Sequence, residues 1–255
     1  MTIDFCTDDE LGYRRSRTCF IEGTGLALDE TYRLAHLPLV APHHPRVIAA
    51  REGTAYHMGR HAPAFSLALP ISARALFASE AYRALEGEIR ASAFAAKIAW
   101  DLLNMRRDKL HATLCGPLTV ARDAPAGLGA HQLQALSRLG QVNVELRGLF
   151  SGNVNVGRLY LRVYPERRDG GNVLRHIQRT LGRRETDLYV VGLFNLVDDL
   201  NAAESAALDD LIRRWWDRRL LRFAVDHLWL LQAMDDLVLD GGVAATVPLR
   251  EAGAL

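Results

Sequence analysis

The stretch Lys109-Leu110-His111-Ala112-Thr113-Leu114-Cys115-Gly116 alternates apolar and polar side chains. Read as a strand, it sends Leu110, Ala112 and Leu114 to one face and His111, Thr113 and Cys115 to the other. An imidazole then stands two residues from a hydroxyl on one surface of a sheet. Histidine can move a proton near neutral pH, and threonine can hold an anionic oxygen by a hydrogen bond. A three-letter His-x-Thr pattern also fits a half-buried histidine that does no chemistry. The order of the flanking segments separates the two readings.

Upstream, Phe65-Ser66-Leu67-Ala68-Leu69 alternates up to Pro70 and reads as a strand. Residues 73 to 106 carry Leu76, Phe77, Tyr82, Leu85, Ile89, Phe94, Ile98, Leu102 and Leu103 at helical spacing. Downstream, Pro125, Gly127 and Gly129 mark a break, and a short helix follows over 130–139. Val142 to Leu146, Arg158 to Tyr164 and Leu188 to Phe194 read as strands. Asn172 caps a helix stopped at Gly182, and Asn201 with Glu204 forms a capping box. Phe223 to Leu230 closes the series as one strand. Repetition of strand–helix–strand gives two similar halves with helices outside the sheets.

Residues 1 to 62 differ in texture. Gly, Pro and His are scattered through them, and five of the nine histidines fall there: His36, His43, His44, His57 and His61. No pair among them has a metal-ligand spacing, so no metal site is expected, and a surface or lid role is. The division expected is a loop-rich extension over 1–62 and a domain over 63–255.

The bulk numbers exclude several classes. With 255 residues and 49% hydrophobic side chains, the chain can bury a sizeable core. A formal net charge of +1 provides no global attraction to nucleic acid or membrane, so a polyanion site has to be local. Three scattered cysteines, Cys6, Cys19 and Cys115, form no disulfide framework. The absence of a signal-like N-terminus or a long apolar run leads to a cytoplasmic expectation. No P-loop, dinucleotide fingerprint or serine-hydrolase elbow occurs, and no cofactor is expected.

Over residues 64–239 the segment order resembles the 2H phosphoesterase superfamily, which includes the RNA ligase/2′,3′-cyclic phosphodiesterases. Phe65 to Pro70 looks like its opening strand and Leu110-His111-Ala112-Thr113-Leu114 like its first His-x-Thr-Leu. Val144 to Phe150 and Arg158 to Pro165 resemble the strands between the halves. The turn at Asp198 to Asn201, its helix and Phe223 to Leu230 resemble the end of the second half. The resemblance implies an α+β, two-lobed, pseudo-symmetric fold, with antiparallel sheets lining a central cleft. It also implies two His-x-Thr motifs, one histidine acting as base and one as acid on a phosphodiester, and the threonines holding the phosphate.

This chain departs from that pattern at the second motif. Leu188-Tyr189-Val190-Val191-Gly192 stands there, and neither Leu188/Val190 nor Tyr189/Val191 restores the pair. A divergent hydrolase acting on a 2′,3′-cyclic phosphate or related nucleotide or RNA end is one expectation, with His111 and Thr113 as its surviving pair. Tyr189, His227 or a histidine of the extension then replaces the lost acid; Tyr189 as a packed strand aromatic is the competing reading. A non-catalytic nucleotide- or RNA-end-binding protein and a cleft recruited for another small molecule are the alternatives. Arg106, Arg158 and Arg162 are the expected phosphate contacts. Neither a membrane nor DNA is an expected partner. Arg213-Arg214 and Arg218-Arg219 flank Trp215-Trp216, for which an amphipathic helix with the indoles inside is the better reading than a nucleic-acid face.

Overall fold

The structure, a computed structural model, describes residues 3–120 and 128–249. Two short helices, α1 (Glu30–Ala35) and α2 (Leu37–Val40), precede strand β1 (Arg60–Pro70). Helices α3 (Ala73–Ala78), α4 (Glu80–Arg90) and α5 (Trp100–Met105) lead to β2 (His111–Val120). After α6 (Ala130–Ser137) come β3 (Val142–Ser151), β4 (Arg158–Pro165) and a two-residue ladder, β5 (Arg167–Arg168) with β6 (Gly171–Asn172). The chain ends with α7 (Val173–Thr180), β7 (Val190–Asn195), α8 (Ala202–Trp215), β8 (Arg219–Val225), β9 (His227–Asp235) and β10 (Gly241–Pro248).

Eight strands form one antiparallel sheet in the order β10-β9-β1-β2-β7-β4-β3-β8. The fold is thus mixed α+β. A single residue, Asp226, separates β8 at one end of the sheet from β9 next to the other end. No one-residue link spans a flat eight-stranded sheet, because adjacent strands lie about 4.8 Å apart. The sheet therefore curls into a half-barrel. The single strand expected over 223–230 is corrected here to two strands that break at Asp226. Of the expected break at Pro125, Gly127 and Gly129, the first two positions lie outside the described residues.

Local chemistry accounts for the elements that frame the site. Asp29 caps α1 by accepting the Tyr32 N–H, and Asn172 caps α7 through Leu174 and Arg175. Asn201 and Glu204 close the expected capping box on α8. Each such cap contributes about 1 kcal/mol. Leu110, Ala112 and Leu114 are buried in the main core, the outcome that the alternation of β2 predicts; Cys115, expected on the face of His111 and Thr113, is buried in the same core instead, at a register irregularity against β1.

The N-terminal segment belongs to that core as well. Cys6, Leu11, Tyr13, Leu26, Leu28, Tyr32 and Leu37 are buried in the same cluster as the strands. The Tyr13 hydroxyl donates to the carbonyls of Val163 (2.6 Å) and Tyr189 (2.8 Å), tying the segment across β4 and the approach to β7. Leu26 and Leu200 exchange backbone hydrogen bonds of 2.9 Å. The segment so pinned reaches the mouth of the sheet between β2 and β7.

Candidate functional site

β2 and β7 are joined by one register pair, Ala112 with Val191. The next residues along flank each other, His111 beside Gly192 and Thr113 beside Val190. A cleft of about 530 Å³ opens over this pair, lined from β1, β4 and β9 as well. His111 and Thr113 line it from β2, and Leu188, Val190 and Gly192 from β7 and its approach.

Nδ1 of His111 lies 2.7 Å from the Lys109 carbonyl. With its proton on Nδ1, the ring leaves Nε2 as an acceptor. Burial pulls the imidazole down to about 4; Arg106 and Arg158 push the same way, and the Lys109 carbonyl pushes back. His111 is therefore neutral at pH 7, the form that can take a proton. Thr113 is exposed in the cleft.

Arg158 comes from β4. Its guanidinium covers Gly192: a β-carbon at 192 would stand 2.2 to 2.4 Å from Nη2, Nε and Cζ. Nη1 donates to the Asp236 carbonyl at 3.1 Å, while Nε is buried without a partner in the protein. Arg106, just after α5, is buried and donates through Nε to the Leu237 carbonyl (2.7 Å) and through Nη2 to the Gly192 carbonyl (3.1 Å). Its Nη1 is likewise unpartnered. Burial and the nearby Arg158 lower the Arg106 value, yet at about 9 it stays cationic at neutral pH. Backbone carbonyls orient both cations, and neither forms an ion pair with a carboxylate among the described residues. Two like charges held together and short of acceptors favour an anion between them.

The N-terminal segment and two turns complete the walls. His36, at the junction of α1 and α2, is fully buried and lines the cleft. Asn155 lies in the β3–β4 turn with φ of 59°, a left-handed backbone that asparagine tolerates. Tyr56 donates to Asp236 at 2.6 Å, and His61 faces the other oxygen of that carboxylate at 3.5 Å. Burial alone would raise the Asp236 carboxyl, but His61, His36, Tyr56 and Arg158 hold it at about 2. The His61 imidazole is raised, chiefly by its hydrogen bond with Asp236.

The sequence-derived residues divide. His111, Thr113 and Arg158 meet in the cleft, and Arg106 lies behind Gly192. Arg162 shares the strand face of Arg158, as alternation requires, but is sealed off. Its guanidinium stacks 3.8 Å from the Trp216 ring centroid and bonds to the Tyr164 hydroxyl, the Trp216 carbonyl and Asp8. A phosphate cannot reach it there. Tyr189 is buried on the far side of β7, its hydroxyl donating to the Thr186 carbonyl at 2.6 Å and lying near Gln178. Burial raises that phenol to about 12, and it does not face His111. His227 sits on β9, an interior strand, beside Asp226 and away from the cleft.

His36, Asn155, His61 and Asp236 converge on the site from positions far apart in the chain. The concentration of histidines before residue 62 was the one trace of this in the sequence. Among the described residues no three His, Cys, Asp or Glu side chains gather as a metal-ligand set, and no helix is long and apolar enough to cross a membrane. No protein-family model matches the chain, and no curated protein matches it.

Proposed function

We propose that the cleft binds a phosphate-containing ligand, a nucleotide or RNA end, and cleaves a 2′,3′-cyclic phosphate or related phosphodiester in the manner of a divergent 2H phosphoesterase. The observation that carries this reading is the Arg158 guanidinium, which lines the cleft with His111 and Thr113 and has an unpartnered N–H, backed by the Arg106 guanidinium behind Gly192. Two further features support it. The β1–helices–β2 and β4–α7–β7 units both place antiparallel strands around the cleft, which suits a two-lobed, pseudo-symmetric ancestry. His111 and Thr113 share its wall.

The chemistry follows from the side chains. Nε2 of His111 takes a proton from the attacking water as its oxygen bonds to phosphorus. Thr113 and Arg158 hold the non-bridging oxygens, where negative charge builds during displacement. The P–O bond to one ribose oxygen breaks, and that oxygen leaves with a proton delivered from a second group.

Val190 and Gly192 carry no acid or base, an observation that favours binding without turnover as the second reading. Titration with nucleoside 2′-phosphates and assay of 2′,3′-cyclic nucleotides separate the two. Under the enzyme reading the wild type hydrolyses the cyclic compound and His111→Ala/Thr113→Ala does not. Binding without hydrolysis selects the second reading, and equal binding by wild type and the double variant overturns both.

A further inference from the structure

We propose that His36, carried into the cleft by the N-terminal segment, is the second proton-transfer residue of this site. This rests on the phosphodiesterase reading above and supplies the imidazole that β7 lacks.

His36 is completely buried, and neither Nδ1 nor Nε2 makes a well-formed hydrogen bond within the protein; the Asn155 side chain is the polar group that interacts with the ring. A polar group buried in that way is destabilising unless something bonds to it. It is not an isolated defect. Arg106 Nη1, Arg158 Nε and Asn155 Oδ1 are buried and unpartnered too. His36, Asn155 and Arg158 line the same cleft, and Arg106 and Arg158 both act electrostatically on His36 and on His111. Three side chains from separate elements thus bring incompletely partnered polar atoms to one cleft, and Arg106 presents a further one from behind Gly192. Two guanidinium N–H groups and one imidazole N–H donate; the other imidazole nitrogen and the Asn155 oxygen accept. A phosphate with an adjacent ribose hydroxyl offers the complementary set.

The ring is also firmly placed. The backbone N–H of His36 donates to the Tyr32 carbonyl at 2.9 Å, and the two rings lie 5.3 Å apart. Tyr32 in turn donates its hydroxyl to the Leu196 carbonyl at 2.7 Å and receives Asn195 Nδ2 at 3.3 Å. His36 is thereby fixed to the end of β7, the strand that carries the degenerate motif.

Other proton carriers of the cleft are committed elsewhere. His61 uses Nδ1 on the Ala62 carbonyl at 2.7 Å and turns Nε2 to Asp236. Tyr56 donates to the same carboxylate. Tyr160 is the remaining rival, because it lines the cleft and its phenol interacts with Asn155.

In the proposed step His111 accepts the proton of the attacking water, the P–O bond to the ribose breaks, and the leaving oxygen takes a proton from His36. One water is consumed and a monoester formed. His36 is neutral in the free protein, so its proton must enter with the substrate, whose negative charge offsets Arg106 and Arg158.

The test compares wild type, His36→Asn, His111→Asn and Tyr160→Phe on nucleoside 2′,3′-cyclic phosphates. Expected is a loss in kcat of about 10²–10⁴-fold for each histidine variant, with KM changed far less, and near-normal kcat for Tyr160→Phe. Nitrogen NMR of the wild type, titrated with a nucleoside 2′-phosphate, is independent of the variants' folding and should show His36 gaining a proton. Wild-type kcat in His36→Asn, or a His36 ring that stays unchanged on saturation, overturns the inference while the phosphodiesterase reading stands. A kcat loss confined to Tyr160→Phe and His111→Asn reassigns the role to the phenol. A wild type that neither binds nor hydrolyses these compounds removes the phosphodiesterase reading and this inference together.

Discussion

The guanidinium of Arg158 occupies the space a side chain at Gly192 would fill, with Nη2 2.2 Å from the β-carbon position. The bare backbone at 192 and the cation above it are one device. It puts a fixed positive charge where strand β7 would otherwise present its own side chain beside His111.

Gly192→Ala should therefore act as an arginine variant. The atoms met by the new methyl are the far end of a flexible side chain, so the strand keeps its place while the guanidinium moves. Hydrogen bonds to charged groups contribute about 1.5–3 kcal/mol, which corresponds to a loss of about 10- to 100-fold in affinity for a nucleoside 2′-phosphate. Calorimetric titration checks this against Arg158→Ala. Unchanged affinity with an intact circular dichroism spectrum would show that Arg158 holds no ligand.

The two cleft histidines make stability depend on pH. Burial depresses His36 to about 3 and His111 to about 4, against an ordinary value near 6.5. The unfolded chain binds protons first as pH falls below about 6.5, so their contribution, fully present above that, is lost towards pH 4 and 3. His61 has the opposite sign: its raised value gives stability that is complete below about 6.5 and fades as pH rises through the folded value. Between about pH 6.5 and 4 the contribution of His61 is constant while those of His36 and His111 fall, so urea midpoints should drop in that window. His36→Asn should flatten that slope; an unaltered slope would mean the ring is solvated.

Tyr189→Phe tests the other side of β7. The lost hydroxyl bonds a backbone carbonyl, at a cost to stability of about 0.5–1.5 kcal/mol, and turnover should be unaffected. Loss of kcat with no change in stability would contradict the buried placement.

Period-based patterns made most of the framework legible. The alternation of 110–115 set His111 and Thr113 on one face, and side-chain caps at Asn172 and Asn201 fixed two helix starts. The break at Asp226 escaped because apolar residues continue on both sides of it with no Gly or Pro, although the alternation changes phase there, from Phe223 and Val225 to Leu228 and Leu230. Strand β7 was ambiguous for a related reason. An apolar run buried on both faces has no polar residue to say which side Tyr189 takes. Arg162 was on the expected face, but its cover of Tyr13, Asp8 and Trp216 comes from two distant segments. The convergence of His36, Asn155 and Asp236 is tertiary, and no local spacing encodes it.

The link between fold and site can be tested at Gly157. It precedes Arg158 with φ of 126°, a conformation that L side chains rarely adopt, and a β-carbon there would stand 2.6 Å from Leu28 Cδ2 and 2.9 Å from the Tyr32 ring. The Tyr32 ring cannot swing aside without losing its hydrogen bonds to Leu196 and Asn195. Gly157→Ala must then push α1 outward, and His36, one residue beyond that helix, moves with it. The strained backbone alone costs about 1–3 kcal/mol. We expect a urea midpoint lowered accordingly, and a folded protein whose kcat falls towards that of His36→Asn while Arg158-dependent phosphate binding is largely kept. A variant as stable as wild type, with full kcat, would show that α1 tolerates the methyl and that its position does not set the site.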